Sequence, residues 1–139
     1  MTRHWRCQQL LVEFFHHLDG KTYGRLVDLF DQDAVWQRPT ALLRGRTEIE
    51  AALVKRSATA LTRHLTSNLI VLADRGDEID VALSLTTYAF DTQERRDLPV
   101  EVAGPIGIFR AMATIRIQAE RTQLLRLDLR PEFMIRGSA

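Results

Sequence analysis

Between residues 5 and 30 the apolar side chains fall at helical spacing in two groups: Trp5, Leu11, Phe14, Phe15 and Leu18, then Tyr23, Leu26, Val27 and Phe30. Asp19-Gly20 separates the groups, which predicts a helical hairpin with Asp19 as N-cap of the second helix and Gly20 allowing a sharp turn. A third helix is predicted at Thr47, where Thr-Glu-Ile-Glu has the capping-box spacing between Thr47 and Glu50, and where Ile49, Ala52, Leu53 and Arg56 share a face. Ala34 to Arg38 is too short for a helix and ends at Pro39, as a first strand does.

After about residue 62 the period drops to two, and the segments become rich in Thr, Val, Ile and Leu. Strands are predicted over Arg63 to Leu72, Asp80 to Phe90, Ile106 to Glu120 and Leu124 to Arg130. In the second of these, Val81, Leu83 and Leu85 oppose Ala82, Ser84, Thr86 and Tyr88. Helices gathered first and antiparallel strands second predict an α+β domain rather than a doubly wound one.

The chain's 139 residues, 45% hydrophobic and 27% charged, suit one globular domain. Its 19 basic and 18 acidic residues leave a formal charge of +1, too little to hold a polyanion, so neither nucleic acid nor a membrane surface is expected as partner. All the basic residues except Lys21 and Lys55 are Arg, scattered from Arg3 to Arg136. Cys7 is the one cysteine, which excludes an internal disulfide and favours a reducing cytoplasm. The apolar run from Leu10 to Val12 is cut by Glu13, unlike a signal peptide, and Leu69 to Ala73 is far short of a bilayer span.

Three segments carry a resemblance: Leu-Phe-Asp-Gln-Asp-Ala-Val-Trp-Gln-Arg-Pro at 29 to 39, Arg-Gly-Arg-Thr-Glu-Ile at 44 to 49 and Thr-Arg-His-Leu-Thr-Ser-Asn at 62 to 68. In this order they resemble the NTF2-like superfamily, in particular its SnoaL-like branch, over roughly residues 5 to 135, with residues 1–139 read as one such domain. The resemblance implies a cone: three N-terminal helices packed in a curved antiparallel sheet, an apolar pocket between them for a small-molecule ligand, and commonly a homodimer. It implies no single reaction. In ketosteroid isomerases an Asp base precedes the Pro that ends the first strand, with a Tyr on the first helix and an Asp after the Ala-Pro-Ile turn. Those places hold Arg38, Phe14 and Gly107 here, and a guanidinium cannot serve as base, so that mechanism is excluded. The Arg-Asp-Asp set of limonene epoxide hydrolases has no counterpart.

Scytalone dehydratase and the bile acid dehydratases are matched at two points, an Asp at the joint of the first two helices (Asp19) and a His opening the second strand (His64). An Asp paired to an imidazole holds its tautomer and raises its basicity, so that the ring takes a proton alpha to a carbonyl and returns it to a leaving hydroxyl. Their two Tyr residues are replaced by Arg38 and Leu18. His64 and Asp19 are therefore the catalytic candidates of a dehydratase- or isomerase-type lyase. Arg38, Tyr88, Trp36, Phe14, Asn68 and Phe109 are the ligand-binding candidates. Arg38 or Tyr88 is expected to hold a substrate oxygen. Asn68 enters through the alternation His64, Thr66, Asn68, and Tyr88 through the polar face of its strand. The alternative is a non-catalytic ligand-binding or interaction subunit resembling the small subunit of ring-hydroxylating dioxygenases. No cofactor is expected, since neither Gly104 to Gly107 nor Arg44-Gly45-Arg46 has phosphate-loop spacing. No metal is expected either, because the adjacent His16 and His17 diverge by about 100° on a helix.

Overall fold

The computed structural model describes residues 2–137. Nine elements follow one another: α1 (Arg3–Gly20), α2 (Tyr23–Val27), β1 (Phe30–Gln37), β2 (Leu42–Arg44), α3 (Gly45–Val54), β3 (Leu61–Asp74), β4 (Glu78–Phe90), β5 (Gly107–Ile117) and β6 (Thr122–Met134). The strands form one curved sheet in the order β2-β1-β6-β5-β4-β3. This is the expected α+β cone. Every pairing is antiparallel except β1 with β6, which run parallel and so depart from a purely antiparallel sheet.

α1 opens at Thr2, whose hydroxyl accepts the Trp5 N–H at 3.1 Å. Its inner face carries Cys7, Leu10, Leu11, Phe14, Phe15 and Leu18, all buried, whereas Trp5 falls off that stripe and is 46% exposed. The Phe14 ring meets Phe15, Phe30 and Trp36 edge-on, at 5.0, 5.6 and 5.3 Å between centroids. Each such pair adds about 0.5–1.5 kcal/mol to the burial of its area. The inner sheet face completes the core in cross-strand rows such as Ile79, Ile115 and Leu124 and Val81, Ala113 and Leu127.

The local signals shift in four places. α1 runs on through Gly20 and ends at the left-handed Lys21 (φ 58°), so Asp19 lies inside the first helix and caps nothing; Thr22 precedes α2. Phe30, predicted helical, opens β1, because the Leu29 carbonyl accepts the Leu124 N–H at 2.8 Å and draws the chain onto β6. α3 starts at Gly45, two residues before Thr47, and the carboxylate reaching back to the N-cap N–H is Glu48 on Arg44, not Glu50. β6 continues through Pro131, beyond its last pairing with β1 at Asp128, where a missing N–H costs no ladder bond on that side.

Gly107 sits between Thr87 of β4 and Met134 of β6, and a Cβ there would lie 2.6 Å from the Phe133 carbonyl oxygen. Gly107→Ala is expected to cost about 1–3 kcal/mol, since backbone and not a flexible side chain must yield. Urea denaturation checks this, and an unchanged midpoint would contradict the close approach.

Candidate functional site

At one end of the cone a cavity of about 230 Å³ opens beside His64, between the helices and the inner sheet face. Its wall is mostly apolar, with Leu18, Trp36, Leu85, Phe109 and Leu129 among its members, and its polar groups are Arg38, Arg56, Thr62, His64 and Thr87. A pocket of this size is suited to a ligand at or below the small end of the usual range.

β3 presents His64 inward beside Thr87 of β4. The imidazole stacks on Phe15 with centroids 5.1 Å apart, which fixes the ring plane. Nδ1 lies 2.6 Å from Asp19 Oδ1, and the two side chains are 13% and 7% exposed. Asp19 Oδ1 also accepts the Thr62 hydroxyl at 2.8 Å, and Oδ2 accepts the His64 backbone N–H at 2.9 Å. Burial pushes the Asp19 carboxyl up, but the hydrogen bonds from the His64 ring and backbone, the His64 charge and the Thr62 hydroxyl together outweigh it. The group is held below its ordinary value and stays ionised. An ionised acceptor at Nδ1 places the ring proton there and leaves Nε2 as the nitrogen able to exchange a proton.

Arg38 follows β1 and lies half-buried with its guanidinium over the Trp36 ring, 5.3 Å from the centroid. Burial, and then the neighbouring Arg56 charge, lower its pKa. Arg56 is anchored beyond α3, donating from Nη1 to the Leu18 carbonyl at 3.1 Å and to the Tyr23 hydroxyl at 3.2 Å. Among the described residues neither guanidinium has a carboxylate partner. The buried Trp36 indole N–H likewise lacks a hydrogen-bond acceptor there.

The structure thus brings His64, Asp19, Arg38, Trp36 and Phe109 together, but not the other three candidates. Phe14 is fully buried behind Trp36 and does not reach the cavity. Tyr88 pairs with Arg63 and points to the opposite sheet face, where it lines a separate groove with Leu65 and Leu98; Thr87 is the cavity-facing neighbour. Asn68 sits in a bulge with φ 56°, between Ser67 and Ile70, which breaks the alternation running from His64. It is exposed, in a depression with His4 and Gln8. Arg56 and Thr87 were not among the candidates, although a cation on the Ile49–Leu53 face was a usable signal for Arg56. Among the described residues no group of three or more His, Cys, Asp and Glu side chains is placed to hold a metal. No helix there is long and apolar enough to cross a membrane.

The model of the SnoaL-like domain matches residues 1–122. No curated protein matches. Among solved structures, a protein of unknown function with a cystatin-like fold from Nostoc punctiforme is 19% identical over 92% of this chain and 90% of that chain, with a TM-score of 0.74. A candidate scytalone dehydratase from Novosphingobium aromaticivorans is 20% identical over 95% and 88%, with a TM-score of 0.75. The beta subunit of the benzoate 1,2-dioxygenase from Burkholderia mallei is 14% identical over 91% and 88%, also with a TM-score of 0.75. At such identities these likenesses establish the fold.

Proposed function

The chain belongs to the SnoaL-like domain family, and on that premise we propose that it is a lyase or isomerase acting on a small organic molecule held in the His64 cavity. The observation that carries this is the Asp19–His64 contact of 2.6 Å at the edge of a largely apolar cavity. His64 Nε2 takes a proton from the carbon alpha to a substrate carbonyl, and the electron pair of that C–H bond forms an enolate. In the lyase variant the pair then expels a β-hydroxyl, which leaves as water with the proton from Nε2; in the isomerase variant the proton returns to another carbon. Asp19 is a positioning residue that holds the tautomer, and Arg38 bonds a substrate oxygen. No cofactor enters the scheme.

Solvent-deuterium exchange tests the proton transfer. Phenylpyruvate and its neutral analogue phenylacetone both carry acidic α-hydrogens, and the protein is expected to accelerate exchange in at least one of them over buffer. Background rates with both would overturn the reading.

The second reading, a non-catalytic ligand-binding or partner subunit, is favoured by the likeness to a dioxygenase beta subunit. A homodimer fits the first reading better. Leu65, Ile70 and Leu72 on β3 and Phe133 and Met134 on β6 are all at least half exposed, more apolar surface than two long strands leave to water without a cover. Light scattering at micromolar concentration is expected to give twice the chain mass, and a monomer would refute the dimer. The buried free thiol of Cys7 suits a reducing cytoplasm.

A further inference from the structure

We propose that the ligand of the His64 cavity carries a carboxylate, and that Arg38 and Arg56 clamp it. This rests on the site assignment above and adds the ligand's charge and the groups that recognise it.

Two guanidiniums line one small cavity, and neither is neutralised by an acidic side chain among the described residues. Each carries a fork of N–H donors that must be satisfied. For Arg56, Nη1 is used by Leu18 and Tyr23, while Nη2 and Nε make no protein hydrogen bond among the described residues. Among the described residues Arg38 makes no side-chain hydrogen bond, and its guanidinium lies over the Trp36 ring. Like charges brought together beside an apolar wall repel, and burial sharpens the repulsion. The lowered pKa of Arg38, caused by burial and by Arg56, is the trace of that cost. An anion removes it.

Charge count and shape select the anion. Asp19, the one carboxylate at the site among the described residues, is committed to His64 and Thr62, so it offsets one positive charge without touching either Arg. One further negative charge balances the other. A planar, singly charged carboxylate matches the guanidinium fork in a bidentate pair, and the apolar remainder of the wall takes the ligand's hydrocarbon body. A dianionic phosphate would overshoot the charge and leave that wall facing polar oxygens.

The experiment compares phenylacetate with phenylacetamide, equal in shape and different in charge, by isothermal calorimetry and by quenching of the buried Trp36. The wild-type protein is expected to bind the acid at least about tenfold more tightly than the amide, the factor for one charge-assisted pair. In Arg38→Gln and Arg56→Gln the acid's advantage is expected to fall about tenfold, with amide affinity little changed. Arg38→Lys and Arg56→Lys, which keep the charge without the fork, should fall in between; they also serve if a Gln variant fails to fold. In His64→Asn the preference for the acid should persist, which separates this inference from the proton-transfer reading. Equal affinity for acid and amide, a preference that survives both Arg variants, or binding of neither compound by the wild type would each overturn it.

Discussion

Asp19→Ala is expected to lower the folding free energy by about 3 kcal/mol at neutral pH, because the carboxylate terminates three hydrogen bonds at once. Its removal strands the Thr62 hydroxyl, the His64 backbone N–H and the His64 ring N–H where the lost side chain was only 7% exposed. An amide is a poor rescue. With its oxygen toward Thr62 and the ring, Asp19→Asn aims an NH₂ at the His64 backbone N–H, donor against donor, so only part of the loss should return. The pH dependence adds a second signature. The folded-state pKa of Asp19 lies below its unfolded value, so the group's contribution is present above about pH 4 and is lost as pH falls through the folded value. The gap between wild type and Asp19→Ala should therefore be widest near neutral pH and narrow on acidification. Urea denaturation at pH 7 and pH 3 measures both, and a gap that is small at pH 7 or that widens in acid would contradict the arrangement.

That same residue shows where local patterns mislead. Read locally, Asp19 before Gly20 looks like a cap, but the left-handed turn falls on Lys21, helix α1 absorbs Asp19, and its acceptors are claimed from β3. Spacing within a helix carries no information about a partner 45 residues on, and only the family resemblance joined Asp19 to His64. The cone itself was legible because its determinants are periodic: the α1 stripe and the alternation of β4 and β5 reappear as the buried faces. Alternation sorts residues into two faces without saying which one faces inward. Taking the polar face of β4 as pocket wall put Tyr88 on the wrong side. The core face is the apolar one, and its polar contribution to the cavity is Thr87, a β-branched residue that looks like any strand former. Asn68 failed differently. Extrapolating from His64 assumes an unbroken strand, whereas an Asn in the left-handed region inserts a bulge, after which Leu69 and Val71 pack inward. Arg38 is a candidate from the resemblance, whereas Arg56, which shares the predicted Ile49–Leu53 face but lies just past the end of α3, carries no local sign that it faces the same space as Arg38.

Replacing His64 by Asn is expected to remove most of the proton-transfer rate while leaving the fold nearly intact. The Asn side-chain NH₂ occupies the place of ring Nδ1–H and keeps a donor toward Asp19 Oδ1, and the backbone bond to Oδ2 is unaffected by the side chain. What disappears is Nε2, the ring nitrogen that makes no protein hydrogen bond among the described residues and carries the lone pair that the proposed transfer uses. Positioned general acid–base groups contribute about 10²–10⁴-fold, so exchange of the α-hydrogens of phenylpyruvate should slow by that factor relative to wild type. Arg38→Gln, by contrast, should weaken binding of this acid and leave more of the rate at saturating concentration, because Nε2 is still present. Asp19→Ala lowers rate and stability together and so does not separate chemistry from folding. His64→Asn does separate them: an unchanged urea midpoint with exchange reduced to background assigns the proton to His64. An unchanged exchange rate in the same variant would instead remove His64 from the reaction and leave the cavity a binding site.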